Sequence, residues 1–194
     1  EVLSVSIFIS IASYRDPLLG FTLASAYDNA AHPEDLYFAV VDQNTVDASY
    51  PVPAHLPSEQ VRYLKIEASQ SRGCCWARSL AMSLYRDEDY YLQIDSHTMF
   101  AKNWDETLLQ RMQVCLSYSP QSVISSYPSA FTFVDGVPTP SSDINVVNAA
   151  VVSPGLTFNN EHPCLIFKNK KFSNIGAVHG FHISAGCLFA PGKF

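Results

Sequence analysis

Three short apolar runs, each ending in polar residues, constrain the fold of this chain more than any other feature. They are VSIFISIA at 5–12, LYFAVV at 36–41 and YYLQI at 90–94. Apolar runs of this length are typical of strands that are buried on both faces. Segments with helical spacing of apolar residues separate them, so the chain is predicted to be α/β, with a mostly parallel sheet wound by helices. This is the pattern of a Rossmann-like nucleotide-binding half.

Two helices are predicted between these runs. Asp16 and Pro17 have the residue types of an N-cap and a first helical position, and apolar spacing continues the helix to about residue 31. A further strand is predicted at 61–67. The loop SQSRG at 69–73 then opens into the second helix.

Helix and turn signals continue after the third run. Asn103 followed by Glu106 is typical of a capping box and predicts a third helix. A short strand is predicted within 122–128. The dipeptide at 135–136, Asp-Gly, predicts a hairpin turn.

The third run leads directly into Asp95, Ser96 and His97. In an extended backbone Asp95 and His97 point to the same side. They would lie at the carboxyl edge of the sheet, where open α/β sheets bind ligands. A carboxylate and an imidazole there predict half of a metal site. The alternative is that Asp95 caps a turn and His97 is a loop histidine.

Cationic residues and a glycine precede this strand. Arg72, Gly73 and Arg78 lie at a loop-to-helix start, where free backbone N–H groups and positive charge suit a phosphate. Arg78 has the alternative reading of a surface ion-pair partner. Trp76 and Trp104 are interpreted as core anchors rather than sugar platforms.

Polar residues also follow the first two runs. They are candidates for holding a base and ribose: Ser13, Tyr14, Arg15 and Asp42. Alternatively, Arg15 is simply solvated and Asp42 caps a turn. Together with the groups before and after the third run, they predict a site for a nucleoside diphosphate whose charge is neutralised by metal and arginine.

Composition excludes some classes of partner. The net charge is −6, with 12 Lys plus Arg and no basic stripe, so no nucleic-acid partner is expected. No apolar stretch approaches the ~18 residues that span a bilayer, so no membrane contact is expected within the chain. Five cysteines, an odd number, favour reduced thiols and a cytoplasmic location, or the Golgi lumen if a membrane anchor was lost.

Several segments jointly resemble a known family. SIASYRDP, the RG and AR pairs of RGCCWAR, and DSH within QIDSHTMF occur in the order found in GT-A N-acetylglucosaminyltransferases that modify hydroxyproline or other protein hydroxyls. The similarity to polypeptide N-acetylgalactosaminyltransferases is more distant. The resemblance to the N-acetylglucosaminyltransferases covers nearly the whole chain and implies a GT-A fold that is truncated at its C-terminus.

The resemblance implies roles for individual residues. Asp95 and His97 become ligands of Mn²⁺ or another divalent cation, for which a mixed imidazole and carboxylate set is suited. Arg72 and Arg78 become diphosphate contacts or organisers of their loop, and Gly73 and Asp95 also lie at the nucleotide-sugar. The polar residues after the first two runs become uridine-side contacts.

A third metal ligand is expected from the segment GAVHGFHISAGCLFA at 176–190, at His179 or His182. The alternative is that both are structural histidines. The whole chain is treated as one GT-A-type domain, with a nucleotide-sugar half at 1–120 and a partial acceptor half at 121–194. No catalytic nucleophile is identified.

The resemblance implies a metal-dependent enzyme that transfers N-acetylglucosamine from UDP-GlcNAc to a protein hydroxyl, on hydroxyproline, Ser or Thr, with retention of configuration. The implied partners are the UDP-GlcNAc donor and a protein acceptor. The alternative is a non-catalytic UDP-sugar-binding fragment or inactive paralogue.

Overall fold

The computed structural model describes residues 4–126, 128–141, 146–152, 167–173 and 183–193. Three α-helices lie among these residues: α1 (Leu19–Asp28), α2 (Cys74–Met82) and α3 (Trp104–Tyr118). The first five strands are β1 (Ile7–Tyr14), β2 (Leu36–Asn44), β3 (Val61–Glu67), β4 (Tyr90–Asp95) and β5 (Ile124–Ser125). The others are β6 (Phe131–Val134), β7 (Val137–Pro140), β8 (Val146–Val152), β9 (Phe167–Ser173) and β10 (Cys187–Pro191).

A six-stranded sheet in the order β3-β2-β1-β4-β10-β5 organises the chain. β1 pairs in parallel with both β2 and β4, and β2 pairs in parallel with β3. The chain builds outward from β1 through β2 to β3 and then returns to the other side of β1 as β4. The α/β prediction with a mostly parallel sheet is therefore confirmed, and the order reverses at β1 and β4.

The centre of the sheet is buried on both faces, as the apolar runs predict. Along β1, Ile7, Ile9 and Ile11 are buried on one face and Phe8 on the other. On the face that carries Val41, the core includes Ala77 and Ala81 of α2, with Trp76 packed partly buried against them. Small residues on α2 allow this helix to lie close to the strand ends.

Trp104 is a core anchor, as predicted. The side chain is buried, and its indole Nε1–H donates to the Ala26 carbonyl at 2.8 Å. The Phe100 ring lies 4.6 Å from it, centroid to centroid. This pairing attaches the start of α3 to α1.

Two predicted helix caps are wrong. Helix α1 begins at Leu19 with Leu18 as its N-cap, so Asp16 is not the cap residue, although its Oδ1 accepts the Leu18 N–H just before the helix. Asn103 does precede α3, but it adopts a left-handed conformation (φ 55°) and makes no side-chain cap. Its N–H donates instead to the Asn29 carbonyl, which is distant in sequence.

The chain divides into two compact units, Glu1–Ile124 with Leu188–Phe194, and Ser125–Cys187. In the second unit β6 and β7 pair antiparallel across Asp135 and Gly136, both at positive φ, which confirms the predicted hairpin turn. The predicted strand within 122–128 is reduced to the two residues of β5.

No helix in the described ranges has both the length and the apolar character needed to cross a bilayer. Cys74 and Cys75 are free thiols exposed to solvent, and Cys115 is a free, part-buried thiol.

Candidate active site

The strand register brings the predicted polar residues to one edge of the sheet. Ser13 lies beside Asp42, and Ala12 lies beside Asp95. Because side chains alternate along a strand, Ser13 and Ala12 point to opposite faces. The predicted residues therefore share an edge but divide between its two faces, with Asp42 on one and Asp95 on the other.

Asp95 is held by an arginine of α2. Arg78 Nη2 donates to Asp95 Oδ1 at 2.9 Å. The Arg78 side chain is 21% exposed and the Asp95 side chain 40% exposed, so the pair lies at the boundary between core and solvent. The Nε–H of Arg78 is buried, and no partner for it is found among the described residues. Arg78 therefore is an ion-pair partner, as in the alternative interpretation, but of a part-buried pair at the end of β4.

His97 is held by Asp16, a residue that no local pattern places beside it. Its Nδ1 lies 2.7 Å from Asp16 Oδ2, and the Ser96 hydroxyl donates to that same oxygen at 2.7 Å. Asp16 Oδ1 accepts the Leu18 N–H at 2.9 Å. Burial raises the pKa of Asp16, but the bonds from Ser96, His97 and Leu18 outweigh it, so the pKa lies below its usual value.

The prediction that strand alternation directs Asp95 and His97 to the same side is wrong, because His97 does not belong to the strand. β4 ends at Asp95, and the chain bends at Ser96 and His97. Ser96 and His97 converge on one carboxylate, while Asp95 bonds to α2. The placement of the Asp95 and His97 side chains therefore follows from these two separate hydrogen bonds and not from alternation along one strand.

Gln43 connects three segments of the site. Its Nε2 donates to the Ser13 carbonyl at 3.0 Å, and its Oε1 accepts the Ser71 hydroxyl at 2.6 Å. Its carbonyl accepts the Arg15 N–H at 3.0 Å. Gln43 is buried, so these bonds hold the ends of β1 and β2 against the loop before α2. The prediction ended the second strand at residue 41 and did not include it.

A cavity of about 300 Å³ opens at this edge. Its lining comes from the ends of β1 and β2 and from the loop and first residue of α2: Ala12, Ser13, Tyr14, Gln43, Ser71, Gly73 and Cys74. Gly73, the N-cap of α2, has φ +92° and ψ 171°, a conformation essentially confined to glycine. Three predicted residues thus line one cavity.

Asp42 lies on the other face with one oxygen engaged. Tyr63 donates its hydroxyl to Asp42 Oδ2 at 2.7 Å. Asp42 is 1% exposed, and neither its Oδ1 nor the Ser13 hydroxyl has a hydrogen-bond partner among the described residues. Buried polar atoms without a partner are costly and mark places where a further group is expected to bind.

The remaining predicted residues are exposed. Tyr14 and Arg15 follow the core of β1, and Arg15 has a left-handed backbone (φ 51°). The Arg72 guanidinium lies over the Trp76 ring, 5.7 Å from its centroid. These side chains are near the edge of the site without being fixed within it.

The chain was then compared with known proteins. A family profile described as Glycosyltransferase (GlcNAc) matches residues 6–57 and 52–194. The chain belongs to this family. The matched ranges include every predicted site residue, so the sheet edge described above lies within the part of the chain that matches this family.

Other comparisons add little. Among solved structures, the chain is similar to the mannosyltransferase PcManGT from Pyrobaculum calidifontis in complex with GDP-Man and Mn2+, at a TM-score of 0.45 and 15% identity. The alignment covers 65% of this chain and 36% of that one, so this chain spans about a third of that protein. A search of curated proteins gave no match.

Two other features lie apart from the site. A cavity of about 230 Å³ is lined by Ile7 and Leu36, the first residues of β1 and β2, and so opens at the opposite edge of the sheet. His32, Glu34 and Asp35 have ligand atoms within 4.8 Å of one another, but Glu34 is exposed to solvent and Asp35 is only half-buried. Parallel sheets bind ligands at the carboxyl edge, which makes the cavity beside Gly73 the candidate ligand site. His179 and His182, the predicted third ligands, lie outside the described residues.

Proposed function

We propose that this member of the GlcNAc glycosyltransferase family transfers N-acetylglucosamine from UDP-GlcNAc to a protein hydroxyl, on hydroxyproline, Ser or Thr, with retention of configuration. The observation that carries the proposal is the anchored carboxylate of Asp95. It lies at the carboxyl end of a central parallel strand, beside the strand residue Ala12 that lines the cavity, and it is paired with Arg78.

The donor set is compatible with a divalent cation. Asp95 uses Oδ1 for Arg78. His97 uses Nδ1 for Asp16, and its side chain is 59% exposed. Asp95 Oδ2 and His97 Nε2 are the ligand atoms that these bonds leave available. One carboxylate oxygen and one imidazole nitrogen suit Mn²⁺ better than Mg²⁺, which prefers oxygen alone. When bound, the cation would stabilise charge on the diphosphate leaving group.

Residues of the loop before α2 would hold the diphosphate. Gly73 lets the backbone turn at the helix N-terminus, where N–H groups are directed towards an anion. Arg72 and Arg78 add positive charge on either side of this turn. Arg78 would also hold Asp95 in one orientation, which lowers the cost of organising the site when the donor binds.

The buried pair at the end of β1 and β2 supports the uridine-side assignment. Ser13 Oγ and Asp42 Oδ1 lie on adjacent strands without hydrogen-bond partners in the described part of the chain, and together they offer a hydroxyl and an acceptor. Tyr14 and Arg15 would cover the nucleotide from the exposed side of the edge. The burial of the Ser13 and Asp42 side chains and the pairing of these residues on adjacent strands support this arrangement.

Catalysis would come from electrostatic stabilisation of the leaving diphosphate. The Arg78 guanidinium is fixed before the donor arrives and would oppose the negative charge that develops on the leaving diphosphate. The loop from Ser71 to Gly73 is fastened to Gln43, so its N–H groups need little rearrangement. The attacking group is the acceptor hydroxyl, and no residue of the chain is assigned as nucleophile.

Calorimetry with UDP and Mn²⁺ tests the site. We expect Asp95→Ala and His97→Ala each to abolish Mn²⁺-dependent UDP binding, and unchanged affinity in both variants would overturn the assignment. Incubation of the wild type with UDP-GlcNAc then tests catalysis. Release of UDP by transfer or slow hydrolysis is expected, whereas binding without turnover would identify a non-catalytic UDP-sugar-binding protein.

A further inference from the structure

Asp16 has a role that neither its sequence position nor the family assignment indicates. It lies between β1 and α1, where its residue type predicts a helix cap, yet its carboxylate receives bonds from three groups. Two of them, Ser96 and His97, are 80 and 81 residues away in sequence. Asp16 therefore joins the start of α1 to the bend that follows β4.

We infer that Asp16 is a positioning residue, whose carboxylate holds the His97 imidazole with its proton on Nδ1 and so directs Nε2 to the divalent cation. This inference rests on the proposed function. A carboxylate that already accepts the Leu18 N–H and the Ser96 hydroxyl acts as an acceptor, so His97 must donate. A neutral imidazole that donates from Nδ1 carries its lone pair on Nε2.

The different burial of Asp16 and His97 indicates that their hydrogen bond orients the imidazole more than it stabilises the fold. The Asp16 side chain is 14% exposed and is fixed by two donors besides His97, whereas His97 is 59% exposed. A hydrogen bond to a histidine that is largely in solvent adds little to folding stability, about 0–1 kcal/mol for exposed pairs. Its main consequence is the orientation and tautomer of the ring. Carboxylates have this relation to metal-bound histidines in general.

Asp16→Asn tests this with little change in shape. The Asn oxygen is expected to keep the Leu18 N–H, because the amide NH₂ cannot accept it. The NH₂ group then faces His97 Nδ1 and donates to it, which moves the imidazole proton to Nε2. We expect Mn²⁺ affinity, measured by electron paramagnetic resonance of free Mn²⁺, to fall by about 10–100-fold.

Ser96→Ala is the matched control. It removes the other long-range bond to Asp16 Oδ2 and leaves the bond from His97 intact. We expect its Mn²⁺ affinity to remain within about threefold of the wild type, because the bond that orients His97 is kept while the part-buried Ser96 bond, worth about 1 kcal/mol, is lost. Equal losses of Mn²⁺ affinity in the two variants would show that the role is structural and would overturn the inference.

The tautomer of His97 is a second readout that needs no variant. Nitrogen-15 NMR of the metal-free wild type, recorded under conditions where the His97 spectrum itself shows a neutral ring, should show the proton on Nδ1. A proton on Nε2 would overturn the inference even if Asp16→Asn failed to fold. Wild-type protein that binds no Mn²⁺ would overturn the proposed metal site, and the inferred role with it. Wild-type Mn²⁺ binding that Asp16→Asn leaves unchanged would overturn the inference alone.

Discussion

Arg78 Nη2 lies 2.9 Å from Asp95 Oδ1, so a residue of α2 fixes the carboxylate at the end of β4. Helix α2 precedes β4 in the sequence and packs on the face of the sheet to which Asp95 belongs by its register with Ala12. This ion pair joins the residues proposed for the diphosphate to those proposed for the metal. It gives the first prediction.

Arg78→Ala is expected to weaken UDP binding in the presence of Mn²⁺ by about 10–100-fold, as for loss of a group that orients a metal ligand. Calorimetry measures the change. Arg111→Ala, which removes the same charge from an exposed position on α3, should change the affinity by less than about twofold because solvent screens it. Equal effects of the two variants would contradict a specific role for Arg78.

Gln43→Leu keeps the approximate volume of the side chain and removes its bonds to the Ser13 carbonyl and the Ser71 hydroxyl. We expect the free energy of unfolding to fall by about 2 kcal/mol, at about 1 kcal/mol for each buried bond. UDP affinity should fall as well, because the loop that carries Gly73 loses its anchor. Urea unfolding and calorimetry measure the two effects.

Gln113→Leu is the control for this variant. Its amide, on the exposed surface of α3, bonds to the Tyr90 hydroxyl at 3.2 Å. Unfolding free energy should change by less than about 0.5 kcal/mol, as is usual for surface substitutions. A Gln43→Leu protein as stable as this control would show that the side-chain hydrogen bonds of Gln43 contribute little to the free energy of unfolding.

Tyr63→Phe removes the hydroxyl that donates to the buried Asp42 carboxylate. We expect a loss of about 1.5–3 kcal/mol of unfolding free energy, the range for hydrogen bonds to charged groups. Tyr50→Phe is the matched control, since its exposed ring packs against Tyr63 with centroids 4.8 Å apart and its change should be small. Urea unfolding near pH 7 compares the two, and equal losses would argue against the role of the Tyr63 bond.

The same hydroxyl predicts a pH dependence. Burial, followed by the hydrogen bond to Asp42 and its charge, raises the pKa of Tyr63 far above its usual value of 10.0. A pKa raised on folding contributes stability that is complete below the unfolded value and is lost at higher pH. The stability difference between wild type and Tyr63→Phe should therefore shrink as pH rises above about 10. A constant difference would contradict the raised pKa.

The sheet and its functional edge could be predicted from sequence because they depend on local patterns. The apolar runs fix which segments are central strands, and polar residues such as Asp42 and Asp95 mark where each run ends. Parallel pairing then brings those ends to one edge. The family resemblance agrees with the match at 6–57 and 52–194, at the level of a GlcNAc glycosyltransferase.

The anchors of the site could not be predicted in the same way. Asp16 has the local appearance of a helix cap, and only the folded chain brings it to His97. Gln43 follows an acid at the end of an apolar run, with no signal that its amide joins two strands and a loop. The division of Asp42 and Asp95 between two faces depends on strand register, which tertiary packing decides.

In the proposed function, the carboxyl edge of β1, β2 and β4 binds a UDP-sugar with a divalent cation. Calorimetric titration with UDP-GlcNAc and with GDP-mannose, each with and without Mn²⁺, is the decisive test. We predict that UDP-GlcNAc binds in the presence of Mn²⁺ and that chelation of the Mn²⁺ weakens this binding at least about tenfold. With Mn²⁺ present, GDP-mannose should bind at least about tenfold more weakly than UDP-GlcNAc, a difference of about 1.4 kcal/mol. Equal binding of the two donors, or binding of UDP-GlcNAc that chelation leaves unchanged, would contradict it.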